Sequence, residues 1–517
     1  MQNSPHFILI WLAILKIGAI PGFINNNLTD VPLLHCLKTS TARLLIFDPA
    51  CVANIEPYVD KIRGDLGIEI WSYGAKDDAL SFCEPLTERT LKMYGEENLS
   101  DEFIRGTKQH DIAMLIYTSG TTGLPKPAIF HHAKANVSLI VWGHMYHLRP
   151  DDRVYCTLPL YHSSASILCL CMSWGRGCTV VLAEKFSISR FWDECRQNDV
   201  TAFIYIGEIC RYLLAAPPSP HDKQHKVRLA YGNGMRPDIW NRFRERFGVK
   251  EIGEFYAATE GIGSLFNLNT GEFGSGAVGH RGRLIRSLTK DMRIIRIDLI
   301  TEEAIRGPNG FCIECAYDEP GELVVENQKD GPLEFQGYFK NKEATNKKIM
   351  KNVFTKGDVY FRTGDILKLN PEGYFTFADR IGDTFRWKSE NVSTAEVAQV
   401  LGLYPAIQEA NVYGCYHDQR QPQDRFQGTG SVCDHQATAI RRAGVSAHPA
   451  HVSIPAYTPF MEITGTFKQR KVELRTEGVD PDKTYASSDA IYWLTKDGYQ
   501  PFGRQEWESI VAGKSKL

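Results

Sequence analysis

Between Tyr117 and Lys126 the chain reads Tyr-Thr-Ser-Gly-Thr-Thr-Gly-Leu-Pro-Lys. Thr118, Ser119, Thr121 and Thr122 supply hydroxyl donors. Gly120 and Gly123 permit close backbone approach and φ > 0, so that successive N–H groups can face an anion. Lys126 adds a compact positive charge. This set suits a polyphosphate. It is not the GxxxxGK[ST] loop, because Pro125 falls where the second glycine belongs and no Ser or Thr follows Lys126. Gly274-Ser275-Gly276-Ala277-Val278-Gly279 fits GxGxxG, but no clear strand precedes it. Arg281-Gly282-Arg283 stands where a helix should be under way, which rejects a dinucleotide fold. Cys312-Ile313-Glu314-Cys315 is a lone CxxC without a second ligand pair, and its strand-like setting argues against a redox motif.

The elements around the loop read as α/β. Ile112–Tyr117 is a short apolar strand that empties into it. Strand-like 154–158 and 179–182 alternate with helix-like 163–174 and 188–198, the pattern of a sheet with helical crossovers. Residues 1–50 read as helix, turn, helix and strand, 60–110 as polar surface, and 281–378 as richer in strand. A smaller unit follows Asp379. From Cys415 to His451 apolar periodicity disappears. That stretch reads as a long disordered insertion or as a misread coding segment, with register resuming near Val452.

Composition narrows the classes further. Across 517 residues, 59 Lys+Arg against 61 Asp+Glu give a net charge of -2, which argues against a nucleic-acid partner. Thirteen scattered cysteines suggest a reducing compartment. Phe7 to Ile20 is apolar but holds Lys16 and is short for a membrane span. It reads as a core helix capped by Ser4 with Pro5 in its first turn, the alternative being a segment in peripheral contact with a membrane. A core helix so near residue 1 suggests that an upstream part of the domain is missing. The terminal Ser515-Lys516-Leu517 reads as a peroxisomal address, recognised by an import receptor.

The loop resembles the signature of the adenylate-forming superfamily of acyl-CoA synthetases, luciferases and peptide-synthetase adenylation domains. Tyr256-Ala257-Ala258-Thr259-Glu260-Gly261 looks like its aromatic-x-x-Thr-Glu motif, and Phe361-Arg362-Thr363-Gly364-Asp365 like its Tyr-Arg-Thr-Gly-Asp. Asp379-Arg380 with Gly382-Asp383 looks like its hinge, and Thr464-Gly465-Thr466-Phe467-Lys468 holds its late lysine. Asp383 to Lys388 and Ile463 to Lys468 resemble the fatty acid transport protein/very-long-chain acyl-CoA synthetase branch. The implied fold is α/β: a large multi-subdomain adenylation domain over 1–379, lacking its usual start, then a smaller mobile α+β domain over 380–517.

The resemblance also implies roles. ATP and a fatty acid would give acyl-AMP, and coenzyme A would then take the acyl group. Glu260 with Thr118 would hold Mg²⁺. Tyr117 and the loop to Lys126 would grip phosphates, Tyr256 and Gly232-Asn233-Gly234 would receive adenine, and Thr259 would also line the nucleotide site. Asp365 would bind the ribose, Arg380 ribose or phosphate, and Lys468 the reacting oxygens. His162 would line the acyl entrance, with Tyr205 and Gly207 on an alkyl-tunnel wall. Plainer readings stand beside these: a turn at 232–234, a structural histidine at 162, core packing at 203–207 and an ordinary basic run around Lys468. Ser389, where relatives usually carry glycine, puts a Cβ near the expected thiol path. A lipid-trafficking protein that binds nucleotide without turnover, and the product of a damaged gene, are the competing functional readings.

Overall fold

A computed structural model describes the chain except for residues 75–79, 119–123, 299–300, 332, 382–384, 388–389, 396, 399–410, 417–435, 443–453, 458–489, 496–497 and 512–517. Ser119, Gly120, Thr121, Thr122, Gly123, Lys468, Ser389 and Ser515-Lys516-Leu517 therefore lie outside the described residues. Those residues pack as two compact units. One comprises Met1–Met292 with Val325–Thr363, the other Arg293–Val324 with the described residues from Gly364 onward.

The first unit is built on a six-stranded sheet in the order Leu265–Asn269, Glu251–Tyr256, Leu229–Asn233, Ala202–Ile206, Arg153–Cys156, Thr179–Leu182. The Leu265–Asn269 edge strand pairs antiparallel, and the others are parallel. Ala202–Ile206 is apolar throughout and buried throughout, as a parallel strand covered on both faces requires. The helical segments at 163–176, Phe191–Gln197, Gly207–Ala215 and Trp240–Phe247 connect the strands. Phe203, Tyr205, Tyr231, Trp240, Phe243 and Phe247 fill the interior around them. A second sheet joins Gly22–Phe23, Ile112–Thr118 and Lys126–His131.

The first helix, Pro5–Lys16, starts as expected: the Ser4 hydroxyl accepts from the Phe7 N–H at 3.2 Å, and Pro5 sits in the first turn. It anchors through Phe7, tilted against Phe23, and Trp11, edge-on to Phe23, each with ring centroids 5.2 Å apart. Burying each aromatic contributes roughly 1.5–3 kcal/mol. Among the described residues no helix is long and apolar enough to cross a membrane.

In the second unit, Gly364–Leu369 pairs antiparallel with Tyr374–Arg380, and Asp365 lies opposite Arg380. The turn between them uses Gly373 at φ +100, while the Asn370 side chain accepts from the Tyr374 N–H at 2.8 Å. The sequence reading ended the large domain at Asp379. Here Asp379 is buried within the second unit, where its carboxylate accepts from the Thr394 N–H at 2.8 Å. A five-stranded sheet follows, ordered Asn411–Tyr416, Gln436–Arg442, Ile454–Tyr457, Ala490–Thr495, Gly498–Pro501. Within 415–451, Gln436–Arg442 is a strand paired with Asn411–Tyr416 and Ile454–Tyr457. Cross-strand backbone bonding organises that segment without an apolar stripe of its own.

Candidate active site

Thr118 ends one strand and Lys126 begins the next, the two opposing each other across an antiparallel hairpin. The Thr118 hydroxyl donates to the Lys126 carbonyl at 3.4 Å, so residues 119–123 connect two adjacent strand ends. Tyr117 points elsewhere. Its hydroxyl donates to the Cys36 carbonyl at 2.5 Å and lies 3.2 Å from the Thr39 hydroxyl; burial pushes its pKa up to about 12. Its side chain anchors the strand to helix Asp30–Ser40, and only its backbone adjoins the loop.

Glu260 sits in a cationic setting. The Tyr338 hydroxyl donates to its Oε1 at 2.8 Å, and Lys348 Nζ lies 3.9 Å from the same oxygen. Lys126 Nζ stands over the Tyr338 ring at 5.8 Å. Lys134, which the sequence reading did not single out, is buried and donates to the carbonyls of Thr259 and Gly261 at 2.7 and 2.6 Å. It thereby grips the backbone on both sides of Glu260. Burial lowers its pKa to about 8, against the opposing pull of the Glu260 charge. The Thr259 hydroxyl lies 2.9 Å from that of Ser163, the residue after His162. His162 caps the short helix Ser163–Ala165, its Nδ1 accepting from the Ser164 N–H at 3.3 Å.

These residues gather where the sheet reverses. Arg153–Cys156 is followed outward by Thr179–Leu182, and the chain then returns to the other side with Ala202–Ile206. Ligands of open α/β sheets bind beyond the strand C-termini at such a reversal. The segment with Tyr161, His162 and Ser163 leaves one of the two central strands there, and Gly207 leaves the other.

Beside it, Gly232 and Gly234 are dictated by crowding and backbone shape. A Cβ on Gly232 would lie 2.0 Å from the Tyr205 carbonyl, one on Gly207 would lie 1.8 Å from the Gly234 carbonyl, and Gly234 has φ +81. Asn233 Oδ1 is buried with no hydrogen-bond donor from the protein. An acceptor left unsatisfied in this way fits the exocyclic amine of a purine. Glu254, also missed from sequence, accepts from the Gly234 and Met235 N–H groups and from the Tyr205 hydroxyl. Tyr205 is fully buried and donates to Glu254 Oε2 at 2.6 Å and the Gly253 carbonyl at 2.9 Å, so the sheet interior holds it. Tyr256 ends the same strand as Glu254, half-buried opposite Leu265.

In the second unit Arg380 Nε lies 3.5 Å from Asp365 Oδ1, and Asp365 is the more buried of the pair. Gly364, at φ +78, donates its N–H to buried Glu322. The two predicted ribose-side residues are thus brought together. Neither Lys134 nor Glu254 belongs to a short motif. A lone lysine between alanines at 133 and 135 and an acid between Gly253 and Phe255 are the signals the sequence offered.

The hairpin mouth, the braced Thr-Glu segment and the strand ends define an adenylate-forming fold, and the chain belongs to the AMP-binding enzyme family, whose pattern matches residues 1–339. Its relatives include the very long-chain fatty acid transport protein of Cochliobolus heterostrophus, 40% identical over 533 residues, covering 100% of this chain and 79% of the relative. The isopenicillin N epimerase component 1 of Hapsidospora chrysogena is 37% identical over 545 residues, covering 100% and 81%. Among solved structures, the anthranilate CoA ligase AuaEII in complex with anthranoyl-AMP superposes with a TM-score of 0.68 at 20% identity, covering 94% of this chain and 87% of that one. ATP-bound MatB from Rhodopseudomonas palustris gives 0.67 at 18%, covering 92% and 87%.

Proposed function

We propose that the chain is an ATP-dependent acyl-CoA ligase acting on a long or very long chain fatty acid, or on a lipid-like carboxylate of a biosynthetic pathway. The observation that carries this reading is the surround of Glu260: the Tyr338 hydroxyl and Lys348 face its carboxylate, and buried Lys134 holds the backbone on both sides of it. The two relatives, one named for very long-chain fatty acid transport and one for isopenicillin N epimerase, support the two substrate options.

In the first half-reaction a substrate carboxylate oxygen bonds to the α-phosphorus as the bond to pyrophosphate breaks. In the second, the coenzyme A sulfur bonds to the acyl carbon, its proton goes to solvent, and AMP leaves. The chain's part is orientation and charge neutralisation. Lys126 and Lys348 would offset phosphate charge. Lys134 would hold the Thr259–Gly261 backbone so that Glu260 is presented in one place, and Asn233 would accept from the purine. Glu260, with the Thr118 hydroxyl, would hold Mg²⁺, which takes one or two carboxylates and otherwise phosphate and water. When bound, that ion would neutralise pyrophosphate charge. Asp365 and Arg380 are assigned to ribose and phosphate, Lys468 to the reacting oxygens.

A second reading, a fatty acid transport protein without turnover, is favoured by the transport names of several relatives. One experiment separates them: pyrophosphate release over a ladder of carboxylic acids, with and without coenzyme A, for the wild type and Glu260→Gln. Carboxylate-dependent release lost in the variant supports the ligase; no release from well-folded wild type rejects it. The Ser515-Lys516-Leu517 tripeptide supports a peroxisomal setting, tested by whether an amino-terminally tagged chain concentrates in peroxisomes and loses that location when the tripeptide is removed.

A further inference from the structure

Glu254 places a carboxyl group where the described residues offer no cation. Its side chain is 1% exposed, and among the described residues its partners are uncharged donors: the Tyr205 hydroxyl at 2.6 Å, the Gly234 N–H and, at 3.4 Å, the Met235 N–H. The Tyr146 hydroxyl donates to the Glu254 backbone carbonyl at 2.7 Å. Burying a carboxylate without a counter-ion is costly. An apolar residue here would avoid that cost but would orphan the Gly234 and Met235 amides. A carboxylate can accept from several donors at once through its two oxygens.

The donors mark the C-terminal ends of neighbouring strands. Tyr205 is near the end of Ala202–Ile206, and Gly234 and Met235 directly follow Leu229–Asn233. No side chain can prop the turn at Gly232 or from Gly207, since a Cβ at either would strike neighbouring backbone at 2.0 or 1.8 Å. The turn is therefore held from the Glu251–Tyr256 strand, through Glu254. It carries Asn233, whose Oδ1 is buried and lacks a donor.

We propose that Glu254 is the positioning residue of the purine subsite, its carboxylate fixing the Gly232–Gly234 turn and with it the Asn233 carboxamide that receives the adenine ring. This rests on the nucleotide reading above. The ionised form does the holding, because it alone accepts through both oxygens without offering a competing proton. Burial raises the Glu254 pKa to about 8, the three donors pulling it back. The titratable groups facing it are the Tyr205 and Tyr146 hydroxyls and the Cys210 thiol, all pushed well above their usual values by burial. They stay neutral near pH 8, so Glu254 is the group that changes charge there.

The test measures ATP affinity of the full chain by calorimetry from pH 6.5 to 9 for the wild type, Glu254→Gln and Glu254→Asp, with hydrogen exchange at the Gly234 and Met235 amides. Wild-type affinity is expected to rise with pH through about 8. At pH 9, Glu254→Gln is expected to bind about tenfold more weakly, to lose that pH dependence and to exchange the two amides faster. Glu254→Asp should fall between them. Binding by Glu254→Gln within twofold of wild type at pH 9, with unchanged exchange, overturns the inference while leaving the nucleotide reading standing. Wild type that binds no ATP overturns both. Should Glu254→Gln not fold, Glu254→Asp and the wild-type exchange profile across pH 8 decide the matter by the same criteria.

Discussion

Glu254 and Glu260 lie on one segment and have opposite surroundings. Glu254 is sealed in the sheet among neutral donors, and burial raises its pKa to about 8. Glu260, its side chain 12% exposed, has Lys348 beside it, Lys134 braced against its own backbone and Lys126 across the Tyr338 ring. A carboxylate answered by N–H and O–H groups organises protein. One with a lysine ammonium beside it and a second lysine bracing its backbone is suited to a charged site. The same residue type therefore does structural work at one position and chemical work at the other.

The contrast breaks first if Glu260 is dispensable. Glu260→Gln should keep the fold, since the site is partly open, and should lower adenylation by about 10²–10³-fold in a pyrophosphate-release assay. Lys134→Met comes next. It removes the donor from two carbonyls flanking Glu260, and a small misplacement of the carboxylate should cost about a hundredfold in kcat, with a lowered melting temperature. Tyr338→Phe deletes a single hydrogen bond to the Glu260 charge and should cost about tenfold, with little change in stability.

Glu254 gives a different signature, in stability. The folded chain keeps its proton up to about pH 8, whereas the unfolded chain releases it near the ordinary value of 4.5. Across that interval the folded state binds more protons, so Glu254's contribution falls with rising pH, by up to about 1.4 kcal/mol per pH unit. Denaturant melts of wild type and Glu254→Gln should therefore converge or cross between pH 5 and 8, Gln gaining as pH rises. A pair of curves that stay parallel would show that Glu254 ionises in the folded chain as it does in the unfolded one.

The part of this contrast that was legible in the sequence is the Glu260 half. Thr259-Glu260 and the glycine- and threonine-rich run are contiguous, so their chemistry can be read without knowing the fold. The strands at 112–118, 153–156 and 179–182 were legible because each is a short apolar run ended by turn residues. Lys134 was not legible, since its partners are backbone carbonyls at 259 and 261, which any sequence supplies. Glu254 was hidden for the same reason: two of its three donors are backbone amides of the neighbouring strand's exit. Tyr205 was read with an acyl wall because its strand is apolar, and only the register places its hydroxyl against Glu254. The break after Asp379 followed motif order, while packing places that residue inside the second unit.

Tyr205→Phe offers the finest cut. It removes one hydroxyl and keeps the ring, so packing among Phe203 and its neighbours is preserved. The Gly253 carbonyl and Glu254 Oε2 each lose a donor, which should cost about 1 kcal/mol of stability. The turn at Gly234 keeps its two amide bonds to Glu254, so ATP affinity at pH 9 should weaken only about two- to threefold. The sharper readout is the midpoint of affinity against pH. Tyr205 stabilises the ionised carboxylate, so its loss lets burial act with less opposition and the midpoint must move to higher pH. A midpoint that stays fixed, or moves down, would mean that Tyr205 does not sense the charge on Glu254, and that the two carboxylates differ in burial alone.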